Sequence, residues 1–201
     1  MLELNDITVY DRLITKGFTV GHFGTAGEGL LSRAIRVVLG SSYSHVGNCF
    51  FPLDMKHPWD FYYYEALAGE GFLGPRYGTE LNKWVREDSR RGLTVLDYHE
   101  ITQIVGAIIL GKTLAYQEVV TYGEFQLFTF FLFKRYGISM KKTKRTVICS
   151  EMSSRTFTPA FDIPAAVKAP SFDAVSPEDV MLWGKRQSPK VRFTNIIGGD
   201  K

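Results

Sequence analysis

Arg145-Thr-Val-Ile-Cys149-Ser-Glu-Met-Ser-Ser154 runs from a β-branched approach straight into a cysteine and on into a polar, helix-compatible segment. The β-branched residues favour an extended strand and the run after them suits a helix, so a strand-to-helix junction falls at Cys149. A cysteine at that junction meets the unpaired backbone N–H groups and the positive end of the helix dipole, which favour a thiolate. The N–H groups of the first turn are also the kind of donors that form an oxyanion hole. The same ten residues equally describe a core thiol buried under a helix. A partner base decides between the two.

About a hundred residues upstream, Ser44-His45-Val46-Gly47 sets a histidine in a strand-like run, with small neighbours that leave room for an approaching group. Cys49 lies four residues further on the same strand. Four strand steps put it about 13 Å from His45, beyond hydrogen-bond reach. Cys49 therefore reads as a small buried hydrophobe. Of the other histidines, His57 falls in a charged, proline-containing loop, His99 sits between acids as a local polar contact, and His22 precedes a glycine loop where it lines a pocket. Glu65 is the one carboxylate of the aromatic run Phe61-Tyr-Tyr-Tyr-Glu65-Ala-Leu-Ala68, where a charge is costly unless paired. If strands 43–51 and 61–68 are neighbours, Glu65 reaches the second nitrogen of His45; on an edge strand it would face water instead. Cys149, His45 and Glu65 thus form the candidate triad.

The pattern around these residues alternates strands and helices. Strands are expected over 18–23, 43–51, 61–68 and 93–98. Gly24 to Gly29 is a glycine loop whose spacing does not fit a dinucleotide fingerprint. Leu30, Leu31, Ala34, Ile35, Val37, Val38 and Leu39 suit a buried helix closed by Gly40. Gly69 to Gly78, with four glycines and a proline, reads as irregular. Helices are expected over 101–116 and, capped by Thr121, over 122–136, with another starting at Ser176-Pro177. The tail from Lys190 to Ile197 reads as a last strand or a loose end. Without repeats or low-complexity tracts, the economical reading is one α+β domain over 1–201, with a core at about 17–183 and a peripheral tail at 184–201.

Composition removes several function classes. Hydrophobic residues make up 45% and charged residues 22%, which is ordinary globular usage. Twenty-four basic against 21 acidic side chains leave a formal charge of +3, too small to imply nucleic acid. The run Lys141-Lys142-Thr143-Lys144-Arg145 reads as a solvated loop or as an electropositive rim that draws anionic substrate. Two cysteines do not make a disulfide framework, and no His/Cys/Asp/Glu spacing fits a metal site, so no metal is expected. Acids near Met1, without a basic n-region or an apolar h-region, do not read as a signal peptide, and no apolar run is long enough to span a bilayer. A cytoplasmic protein is expected, with room for peripheral membrane contact.

The order His, acid, Cys resembles the circularly permuted branch of the NlpC-like, papain-like cysteine hydrolases, in particular the YiiX-like proteins. Ser41-Ser-Tyr-Ser-His45-Val-Gly47 is similar to the family's Ser-His-Val-Gly strand, and Tyr64-Glu65-Ala66 to the strand with its acidic member. Ile148-Cys149-Ser150-Glu151-Met152 is similar to its Cys-Ser-Glu-Leu helix start, with Met for Leu, and Tyr122-Gly123 matches a common feature of the preceding helix. The likeness spans roughly 17 to 183; residues 1–16, 69–92 and 184–201 gain nothing from it. It implies a papain-like antiparallel sheet packed against helices, with Cys149 presented to His45. It also implies cofactor-free thiol chemistry on a peptide, a peptidoglycan fragment or a lipid acyl ester, by hydrolysis or acyl transfer. A catalytically idle binding module on the same scaffold is the remaining alternative.

Overall fold

The computed structural model describes residues 4–67, 70–119, 121–122, 146–187 and 189–195. A helix α1 (Leu4–Lys16) leads into β1 (Phe18–Ala26), α2 (Leu30–Leu39), β2 (His45–Pro52), β3 (Tyr62–Leu67), β4 (Gly71–Tyr77), α3 (Gly78–Glu87), β5 (Gly92–Tyr98) and α4 (Gln103–Val119). After α4 come the two-residue strands β6 (Thr121–Tyr122) and β7 (Thr146–Val147). The chain continues with α5 (Cys149–Thr156), α6 (Ile163–Ala166), a 3₁₀ turn (Phe172–Ala174), α7 (Pro177–Lys185) and β8 (Lys190–Asn195). Six strands form one antiparallel sheet in the order β4-β3-β2-β1-β5-β8, while β6 and β7 pair in parallel apart from it. The architecture is α+β, as expected.

Side-chain alternation sorts the strands onto two apolar faces. Val46 and Phe50 of β2 and Tyr62 and Tyr64 of β3 join Leu13, Ile109, Cys149, Val180 and Met181 on the face covered by α1, α4, α5 and α7. Cys49, Phe51 and Tyr63 join Phe23, Leu81, Val85 and Val95 on the face covered by α3. Because both faces are covered, seven of the eight residues of β2 are buried and only His45, at the strand's start, is partly open. Gly47 permits this packing. A Cβ there would stand 2.6 Å from the Tyr64 carbonyl and would also overlap the Phe23 ring.

Several elements depart from the sequence reading. Strand β1 continues through the glycines to Ala26, because Gly24 pairs with Val46 on one side and Thr94 on the other. The glycine-rich 71–77 is no irregular loop but edge strand β4. An unforeseen helix α3 follows it, with Glu80 in its first turn accepting from the Tyr77 N–H. The unread N-terminus forms α1, while the tail takes the strand alternative of its two readings, as β8 against β5. Thr121 and Tyr122 are extended and paired with Thr146 and Val147, not the start of a helix. The rest of the expected 122–136 helix and the Lys141–Arg145 run lie outside the described residues. Helix α2 forms where expected but is not buried: of its residues only Ile35 is, while Leu30 is 89% and Val37 82% exposed. Among the described residues no helix is long and apolar enough to cross a membrane.

Candidate active site

The three candidate residues arrive from three elements. Helix α5 begins at Cys149, with extended Ile148 as its N-cap, so the strand-to-helix junction read from the sequence is present. His45 opens β2, and Glu65 lies on β3, which pairs directly with β2. His45 Nε2 stands 2.9 Å from Glu65 Oε2. The His45 side chain also hydrogen bonds the Cys149 sulfur. Cys149, His45 and Glu65 are therefore brought together in one hydrogen-bonded row.

Burial favours the neutral thiol at Cys149. The His45 charge and hydrogen bond, with the backbone N–H groups of Val46 and Ser150, overcome it and hold the group below the ordinary thiol range. Burial likewise opposes a charged His45, but the Cys149 thiolate and the Glu65 carboxylate push it up to about 10. These shifts describe one coupled event: a thiolate–imidazolium pair supported by a buried carboxylate. Cys49 behaves oppositely. It is fully buried in the other apolar cluster, and desolvation first, then the Asp97 charge, raise its thiol. The Arg192 charge pulls the other way but does not offset them.

The remaining histidines do not join the site. His22 is fully buried, with its ring 4.0 Å from that of Phe157 and its Nδ1 2.9 Å from the Tyr98 hydroxyl. Desolvation lowers it to about 3, so it is a neutral core residue. His57 is exposed in its loop. Asp97, one of the acids beside His99, points into a buried ion pair with Arg192 of β8.

A second layer of polar residues fixes the row. Glu178, in the first turn of α7, accepts hydrogen bonds at Oε2 from Ser41 Oγ (2.9 Å) and from the backbone N–H of Ser42 (2.6 Å) and Tyr43 (3.3 Å). That clamp holds the loop that delivers His45. Ser150 Oγ donates to the Val175 carbonyl just before α7 (2.7 Å), which anchors the Cys149 helix to the same element. Asn48 Nδ2 donates to Thr113 of α4 (3.1 Å) and Thr156 of α5 (2.8 Å), tying β2 to both helices. A cavity of about 250 Å³ opens beside His45 and Glu65, walled by Tyr63, Arg76, Leu81 and Trp84. Glu178 and Asn48 escaped the sequence reading because a Glu after Ser-Pro and an Asn in a strand carry no local signal of a distant partner. Arg76 lay in a stretch taken as irregular. Among the described residues no cluster of three or more His, Cys, Asp or Glu side chains is placed to hold a metal ion. No family model and no curated protein matches the chain.

Proposed function

We propose that the protein is a cysteine hydrolase cleaving an amide or ester bond through Cys149, His45 and Glu65, on a permuted papain-like scaffold. The hydrogen-bonded row Cys149–His45–Glu65, with the cysteine at a helix N-terminus, carries the reading. The thiolate attacks the acyl carbon, a C–S bond forms, and the carbonyl electrons move onto oxygen, where first-turn N–H groups of α5 stabilise them. Collapse breaks the C–N or C–O bond as His45 gives its proton to the leaving amine or alkoxide. His45 then takes a proton from water, whose oxygen attacks the thioester, and the acid leaves as the thiolate is restored. Glu65 keeps the ring oriented throughout. The substrate side suits peptide amides, as in peptidoglycan-type peptides, as well as lipid acyl esters.

A panel of peptide amides and acyl esters, assayed with the wild type and with Cys149→Ala and His45→Ala, tests this. Both variants should lose at least about a thousandfold in kcat/KM while keeping the native circular dichroism. Full activity in both would sink the proposal. The pH dependence has a definite sign. As pH falls through the depressed thiol pKa, Cys149 takes up a proton, and both iodoacetamide labelling and turnover fall. As pH rises toward about 10, His45 loses its proton and turnover alone falls, because the leaving group has lost its acid.

One observation favours lipid acyl esters as a second substrate reading. The exposed face of α2 carries Leu30, Leu31, Val37 and Val38, and Ser32 of the same helix lines the cavity beside His45. A helix that is apolar outward and touches the cleft inward suits an enzyme working at a lipid surface.

A further inference from the structure

Resting on the catalytic reading above, we propose that Arg76 is a positioning residue that fixes the orientation and charge balance of Glu65 behind the Cys149–His45 pair. Glu65 is nearly buried and uses both of its oxygens. Oε2 meets His45 Nε2 at 2.9 Å, and Oε1 accepts from Arg76 Nη1 at 2.8 Å. The sheet produces this geometry. Arg76 of β4 stands opposite Tyr63 of β3, Tyr63 and Glu65 share one face, and a register shift between them lets the guanidinium reach along the strand. The Arg76 guanidinium lies 5.5 Å from the Tyr63 ring centroid. Glu80 of α3 grips its far side through Nε (3.0 Å) and Nη2 (2.9 Å), while accepting from the Tyr77 N–H at 3.1 Å. The cap of one helix thus holds the cation that holds the carboxylate.

This arrangement answers a problem in the reaction cycle. A carboxylate at 7% exposure needs a compensating charge. His45 supplies one only while protonated, and it gives that proton away when the leaving group departs. Arg76 remains charged through the whole cycle and gives Glu65 a cationic partner when the imidazole is neutral. It also draws charge from Glu65, which leaves the imidazolium a better proton donor than an undivided carboxylate would. Among the described residues, the charged and titratable groups that face Glu65 and Arg76 are His45 and Cys49 on β2, Tyr63 on β3 and Glu80 on α3.

The test is the pH dependence of Cys149 alkylation by iodoacetamide, read peptide by peptide with Cys49 as internal control, in wild type, Arg76→Gln, Arg76→Lys and Glu80→Gln. Removing the Arg76 charge leaves two carboxylates behind the pair and disfavours the thiolate. Arg76→Gln should shift the acid limb to higher pH and label about tenfold more slowly at about pH 5, while matching wild type at about pH 8. Arg76→Lys keeps the charge and should restore the limb; Glu80→Gln removes an anion and should not raise it. A limb in Arg76→Gln that superimposes on wild type overturns the assignment. So does an equal upward shift in Arg76→Gln and Glu80→Gln that lysine does not rescue, because that marks a loosened cleft. A wild type whose Cys149 labels only with an ordinary thiol limb removes the catalytic reading and this one together.

Discussion

Helices α2 and α5 invert the rule that apolar helices go inside. Helix α5, Cys-Ser-Glu-Met-Ser-Ser-Arg-Thr, has seven of its eight residues buried. Helix α2, Leu-Leu-Ser-Arg-Ala-Ile-Arg-Val-Val-Leu, buries only Ile35. The polar helix survives in the core because most of its groups are paired, Ser153 Oγ being an exception. Ser154 Oγ donates to the Ser150 carbonyl (2.7 Å), Thr156 Oγ1 to the Ser153 carbonyl (3.0 Å), Ser150 Oγ to Val175, and Arg155 to Glu151. Such pairing is what a core must contain if it is to hold an ionised sulfur. The apolar helix on the surface forgoes about 1.5–3 kcal/mol for each large side chain it leaves in water. Both helices meet at His45: α2 lines the cavity beside it through Ser32, and α5 brings Cys149 to it.

If polar pairing seats α5, cutting its cross-link to the sheet should have the largest effect on stability. Asn48→Ala removes both hydrogen bonds to Thr113 and Thr156 and leaves a small cavity, and should cost about 2–3 kcal/mol in urea unfolding with the m-value unchanged. A loss below about 0.5 kcal/mol would show that α5 is seated by apolar contacts alone and break the comparison. Glu178→Ala is the next test. It strips the Ser42 N–H of its acceptor, while Ser41 Oγ keeps the Tyr43 carbonyl and the Tyr43 N–H keeps Ser41 Oγ, and should cost about 1 kcal/mol. Because the clamp holds His45 to α7, it should also slow Cys149 labelling near neutral pH; unchanged labelling would confine Glu178 to a stabilising role.

The same two helices show what the sequence discloses. The Cys149 junction was legible because β-branched Thr146-Val-Ile148 ends where a helix-compatible run begins, and dihedral preference acts locally. The contact of His45 with Glu65 was legible because two strands joined by a short connection usually pair. The burial of α5 was not, since whether a serine faces a carbonyl or water depends on elements remote in sequence. Helix α2 misled for a related reason: periodicity places an apolar stripe on one face but does not say what lies opposite. Strand β4 was hidden by its glycines, which weaken strand propensity but do not prevent pairing once β3 offers its edge. The link from Arg76 to Glu65 depends on that pairing and went unseen with it.

The smallest expected change in stability, and the sharpest test of the surface half of the comparison, is on α2. Leu30→Gln with Val37→Gln alters two side chains that are 89% and 82% exposed, so folding free energy should stay within about 0.5 kcal/mol of wild type. If the face meets lipid, the effect appears in binding instead. Arg33, paired with Glu28 at 2.6 Å but still 52% exposed, flanks the apolar stripe, and the formal net charge of +3 suits an anionic surface. In flotation assays the wild type should associate with vesicles of phosphatidylcholine and phosphatidylglycerol more than with phosphatidylcholine alone, and less at high salt. The double variant should lose at least about tenfold, by forfeiting the apolar burial that drives insertion. A wild type that ignores both vesicles, or that is a dimer by light scattering and becomes a monomer in the variant, would remove the lipid reading. It would leave α2 as a face covered by a second copy, or as an apolar helix with no lipid role.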